Sequence, residues 1–122
     1  MKNVGKRFIS IAIIYGLLGM GFGIWMGMTQ SLASAPLHTH INLIGWASFA
    51  IFGLIYRAFP ALAESKLAAA HFWVANLGAV TFIAGIVIVM PTGNMLPVAV
   101  GALIMLISMI IFAVNFWQNA RG

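Results

Sequence analysis

The sequence predicts an all-α membrane protein: four transmembrane helices in an up-down bundle, forming one domain over residues 1–122. Three observations lead there. Of 122 residues, 63% are hydrophobic and 6% are charged, where soluble domains carry roughly 25% charged residues. Mean hydropathy is +1.08. The apolar residues also gather into four runs, at 8–28, 37–59, 67–90 and 95–117, each near the roughly 20 residues that cross about 30 Å of hydrocarbon.

The first run follows MKNVGKR and precedes Ala33-Ser34-Ala35, an order similar to a cleavable secretory signal. The run is long for one, and Pro36 would follow the cut, so the segment is expected to stay as the first helix. Its stretch GLLGMGFGIWMG spaces Gly19, Gly23 and Gly27 four apart on one face, where missing side chains let another backbone approach closely. That face reads as a packing seam or as a smooth wall against a planar cofactor.

The second run opens with PLHTHINLIGW. Pro36 suits a first helical turn, because its missing N–H would be unsatisfied there and its φ is already near helical. His38 and His40 follow. At about 100° per residue they point roughly 200° apart, to opposite sides of one helix. Side chains two apart do not meet, so the pair cannot grip one metal ion, and each imidazole looks toward a different neighbour. Asn42 lies one turn below His38, placed to partner the second nitrogen of a ligating ring. A plainer reading stays open beside this one, in which both histidines sit at the wet interface and bind water or headgroups.

Arg57 near the end of this run is expected to snorkel, and Glu64 and Lys66 in the next connection to be solvated. The third run begins with His71, Phe72 and Trp73, read as an interfacial anchor, with Asn76 placed to pair with His71. MPTGNM marks a turn before the fourth run. Asn76, Asn94, Asn115, Thr81 and Ser108 are candidates for hydrogen bonds between helices, each worth on the order of 0.6 kcal/mol.

Charge adds direction. Lys2, Lys6, Arg7, Arg57, Lys66 and Arg121 all fall on one side of this four-helix plan. The positive-inside rule then puts both termini and the 57–66 connection in the cytoplasm of a prokaryote's plasma membrane, with His38 and His40 outward. A formal charge of +5 scattered among apolar runs makes no nucleic-acid surface. The absence of cysteine excludes disulfides, thiolate metal sites and thiol catalysis, and a lone acid, Glu64, excludes a paired-carboxylate mechanism.

The residues HTHINLIGWASFAIFGLIYRAFP and then LAAAHFWVANLGAV, His38 through Val80, resemble the tenth and eleventh helices of subunit I of the haem-copper oxidases. In that family a His-x-His opens a helix from the outer side. Its first histidine is the proximal ligand of the high-spin haem and its second ligates the low-spin haem, on opposite helix faces. The resemblance therefore implies that His38 and His40 are haem ligands, while the family's His-Phe-Trp histidine, matched by His71, binds no haem. The match covers about a third of the chain. With only three histidines, the chain lacks the family's copper ligands and a complete oxidase active site, so no catalytic residue is assigned.

The oxidase subunit is built as three arcs of four helices, and this chain resembles one arc. The implied assembly is a homotrimer of twelve helices, with His38 of one subunit and His40 of its neighbour clamping a haem b at each interface. Trp46, Phe49, Phe52, Trp25 and the glycine face with Gly19 and Gly23 would wall the porphyrin. The function expected is electron transfer or small-gas binding. Two alternatives remain: a copper protein that adds Met26, Met28, Met90 and Met95 to the histidines, thioethers being soft ligands, and an accessory bundle with no cofactor.

Overall fold

The computed structural model describes residues 1–120. Arg121, counted above among the cations, lies outside the described residues. Four helices are long and apolar enough to cross a membrane: α1 (Val4–Thr29), α2 (Leu32–Ala58), α4 (Lys66–Thr92) and α5 (Leu96–Asn119). A short α3 (Pro60–Glu64) bridges α2 and α4. Each predicted run falls inside one of these helices or overhangs it by a single residue, while α1 and α2 begin four and five residues earlier than their runs.

Local chemistry sets the breaks. Gln30 ends α1 in the left-handed region at φ 54°, its N–H reaching the Met26 carbonyl. Ser65 caps α4, its Oγ accepting from the Leu67 N–H at 3.1 Å. Gly93 closes α4 at φ 69°, where a residue without Cβ pays no steric penalty. Pro97 then sits in the first turn of α5.

Unlike its neighbours, α2 is not uniform. A tight 3-10 turn at Leu32–Ser34 leads into α-helix over Ala35–His40. The helix then widens to π geometry over Ile41–Ser48 and returns to α over Phe49–Ala58. Ser48 supports the wide stretch, its Oγ donating to the Leu43 carbonyl at 2.8 Å. Such segments are rare within α-helices and concentrate at functional sites.

The helices pair as two antiparallel hairpins, α1 with α2 and α4 with α5. Along the first, a Cβ at Gly5 would meet Gly53 and Arg57, one at Gly16 the Trp46 ring, and one at Gly23 the His38 ring. Along the second, Gly78 faces Met105, Gly85 faces Val98 and Gly101 faces Phe82. A Cβ on Gly85 would lie 2.6 Å from the Val98 nitrogen, so the backbones themselves are in contact.

The hairpins join through an aromatic core. Phe8 is fully buried, with Phe49 at 5.3 Å, Phe72 at 5.1 Å and Tyr56 stacked at 5.8 Å between ring centres. Because Phe8, Tyr56 and His71 meet here, the start of α1, the end of α2 and the start of α4 share one end of the molecule. That end carries Lys2, Lys6, Arg7, Arg57 and Lys66, and we call it the cationic end. His38 and His40 lie at the opposite, histidine end.

Candidate functional site

Helical rotation sends the two histidines to different neighbours, as their spacing predicts. His38 leans on α1, where a Cβ at Gly23 would sit 2.6 Å from its Cε1. His40 leans on α4, its ring centre 5.1 Å from that of Phe82. Both are half-buried.

Hydrogen bonding fixes the tautomer of each ring. His38 Nδ1 lies 2.9 Å from the Gly19 carbonyl oxygen, and His40 Nδ1 lies 2.7 Å from the Pro36 carbonyl oxygen. A carbonyl only accepts, so each Nδ1 carries the proton and donates it. The lone pair is left on Nε2. Neither Nε2 has a hydrogen-bond partner among the described residues. Anchoring Nδ1–H on a backbone carbonyl while Nε2 stays free is the arrangement that orients a metal-binding imidazole.

Asn42 takes a different part from the one its spacing predicts. Its Nδ2 donates to the His38 carbonyl at 2.9 Å, so it braces the backbone of the turn, and the Gly19 carbonyl orients the ring instead. The 3.3 Å approach of Asn42 Nδ2 to His38 Nδ1 joins two protonated nitrogens and is not a hydrogen bond.

The glycine face also differs from its prediction. Gly16, Gly19 and Gly23 face Trp46, Asn42 and His38, while nothing lies within 4 Å of a Cβ at Gly27. Steps of three and four together keep a helix face, whereas two steps of four drift by about 80°. The stretch expected as a bare wall for a planar group is covered by the chain's own His38 and Asn42. Of the expected aromatic wall, Phe49 and Phe52 are buried in the core beside Phe8. Trp46 and Trp25 remain on the surface, Trp25 stacked 5.3 Å from Phe22. Beside Trp46, an apolar groove of about 150 Å³ with Ile13, Gly16, Leu17 and Met20 is too small for a porphyrin. Among the copper candidates Met26 is buried, and Met28, Met90 and Met95 are exposed.

His71 is the larger departure. It is fully buried, and so is no interfacial anchor; Trp73, 62% exposed, keeps that role, while Phe72 is buried. The face of α4 carrying Ala68, Phe72, Ala75 and Ala79 turns His71 inward with it. The Asn115 amide donates to Tyr56 Oη at 3.3 Å and to the Leu62 carbonyl at 3.1 Å. Tyr56 Oη in turn lies 3.0 Å from His71 Nδ1. Among the described residues His71 Nε2 has no partner, and it sits among the rings of Phe8, Phe52 and Phe112. Asn76 does not pair with His71; its amide donates to the Phe72 carbonyl at 2.7 Å. Sequence reading had a signal for this cluster, since Tyr56, His71 and Asn115 are polar groups within apolar runs and each needs a buried partner.

No family model, no curated protein and no solved structure matches the chain. Function therefore rests on the geometry of the histidine end. Among the described residues no three side chains of histidine or acid gather into a metal-binding group.

Proposed function

We propose that the chain is an integral membrane haem protein in which His38 and His40 ligate haem b across subunit interfaces. The observation that supports this is the paired orientation of the rings: each gives Nδ1–H to a backbone carbonyl and leaves its Nε2 lone pair unpartnered. Because the rings serve opposite faces of α2, one subunit offers two ligands that cannot meet on one ion. A cyclic homotrimer, with heterologous contacts, brings His38 of one copy toward His40 of the next.

The donor chemistry fits haem, since neutral imidazole binds iron through Nε2. The porphyrin walls would have to be formed between subunits, because His38 and Asn42 cover the glycine face within one. Two imidazoles on one iron leave no open position, so the group would supply one-electron transfer rather than gas capture. The chain's own contribution is to fix both tautomers through Gly19 and Pro36. The charge distribution supports an orientation with the cationic end in the cytoplasm and the histidines outward, in a prokaryotic plasma membrane.

The test is the optical spectrum of protein purified from haem-replete cells. A sharp pair of reduced bands, lost in His38→Ala and in His40→Ala, is expected. Protein that stays colourless after haem addition would overturn the reading in favour of a cofactor-free bundle. Stoichiometric copper without iron would do so in favour of the copper protein.

A further inference from the structure

A second feature lies at the opposite end of the bundle and is independent of the histidines. Between α1 and α4 runs a groove of about 560 Å³, lined on α1 by one face from Asn3 to Ile11 and on α4 by Phe72, Trp73 and Asn76. This volume is within the range that holds a small ligand or a lipid headgroup with its first acyl carbons. The α1 residues recur at intervals of three and four, so they form one stripe along the helix. From α4, Phe72, Trp73 and Asn76 form the facing wall, one turn apart.

Charge is confined to one end of this groove. Asn3, Lys6 and Arg7 occupy the first turn at the cationic end. Phe72, level with Phe8, and Trp73 come next, then Ser10 and Ile11, and Asn76 lies about 5 Å beyond Trp73 along α4. At 1.5 Å per residue, Ser10 lies about 9 Å further along α1 than Val4. The groove thus sets its cations at the depth of a phospholipid phosphate and a mixed wall of aromatic, aliphatic and small polar groups at the depth of the glycerol and the first acyl carbons.

Its charge is not neutralised within the groove. The only acidic side chain is Glu64, and it does not line this surface. Asn3 starts α1 from the left-handed region at φ 60° and makes no side-chain cap; the Val4 N–H donates to the Met1 carbonyl at 3.3 Å, and the positive end of the helix dipole adds to the potential. Lys6 and Arg7 are exposed, and Trp73 stands at the surface beside them.

We infer that this groove binds an anionic phospholipid. Lys6 and Arg7 hold its phosphate, Phe72 and Trp73 flank the glycerol region beside Ser10, and Ile11 and the deeper end of the groove receive the start of an acyl chain. Basic pockets between transmembrane helices select anionic headgroups in this way.

The test is lipid retention in native mass spectrometry of the full chain in mild detergent, titrated with dioleoyl phosphatidylglycerol or dioleoyl phosphatidylcholine. One phosphatidylglycerol per chain is expected to stay bound where phosphatidylcholine does not. Lys6→Gln with Arg7→Gln should weaken its binding about 30-fold, as the loss of two juxtamembrane charges implies. Lys2→Gln, which removes a cation outside the groove, should change it less than threefold by the same reasoning. Ser10→Phe keeps every charge but fills the groove, and should also lose the lipid. Far-ultraviolet circular dichroism identifies variants that keep their helices, and Lys6→Gln or Arg7→Gln alone serves if the double variant does not. Equal retention of the two lipids, equal losses in Lys2→Gln and the double variant, or no loss in Ser10→Phe would overturn the inference. So would full displacement by millimolar inorganic phosphate, which would mark a free-anion site. An oligomer without lipid that dissociates in the double variant would assign the groove to a second copy instead.

Discussion

The chemistry of His38 and His40 rests on which nitrogen of each ring is left free. Spacing alone predicts that they diverge, and it predicts a nearby partner for His38. It cannot name that partner as the Gly19 carbonyl, because the register between α1 and α2 is a tertiary fact. His71 shows the same limit from the other side. Its position near a helix start reads as interfacial, but the depth of a residue near an end depends on which way the helix is rotated. Tyr56→Phe tests the buried cluster, because it removes the hydroxyl that lies between His71 Nδ1 and the Asn115 amide. One Asn115 N–H keeps the Leu62 carbonyl, and the other is left without an acceptor together with His71 Nδ1. A hydrogen bond between membrane helices is worth about 0.6 kcal/mol, and a buried group left unpaired costs about 1–3 kcal/mol. Unfolding in mixed detergent micelles should therefore show a loss of about 1–2 kcal/mol.

Helices were legible as lengths and opaque as faces. Hydropathy locates each span because a bilayer demands a long apolar run, whatever its neighbours. Which glycines touch is decided by rotation, and there the fixed spacing of Gly19, Gly23 and Gly27 misleads by one member. The glycines of the second hairpin carried a signal too, since Gly78 and Gly85 are seven apart and so share a face of α4. Substitution separates contact from coincidence. Gly85→Ala puts a Cβ against the Val98 backbone, which cannot move aside as a side chain can. It should cost about 1–3 kcal/mol, read as a lower midpoint of thermal unfolding. Gly27→Ala and Gly21→Ala enter open space and should leave that midpoint within the range of surface substitutions, about 0.5 kcal/mol. The π stretch in α2 had no signal in the pattern, because Ile, Leu, Trp and Ala read alike in either geometry.

At the scale of the whole molecule, α5 is the least enclosed span, with 11% of its apolar window buried against 33% for α4. It meets α2 toward the cationic end, through Phe112 and Asn115. Its remaining apolar surface is available to lipid or to a neighbouring copy, and the proposed trimer requires some such face. Native mass spectrometry should then give three chains with three haems, while a monomer or dimer that retains haem would leave the ligation and remove the trimer. Orientation can be tested separately, because the chain has no cysteine to confuse labelling. Gln30→Cys and Asn94→Cys place a thiol in the two exposed connections at the histidine end, and Glu64→Cys places one at the cationic end. With five described cations at one end, the positive-inside rule predicts that an impermeant maleimide added to whole cells labels the first two and not the third. The reverse pattern would put the histidines in the cytoplasm, where the electron donor and acceptor of the proposed haem would have to be sought. Labelling of all three before lysis would instead mean mixed insertion, and a charge difference too small to fix one direction.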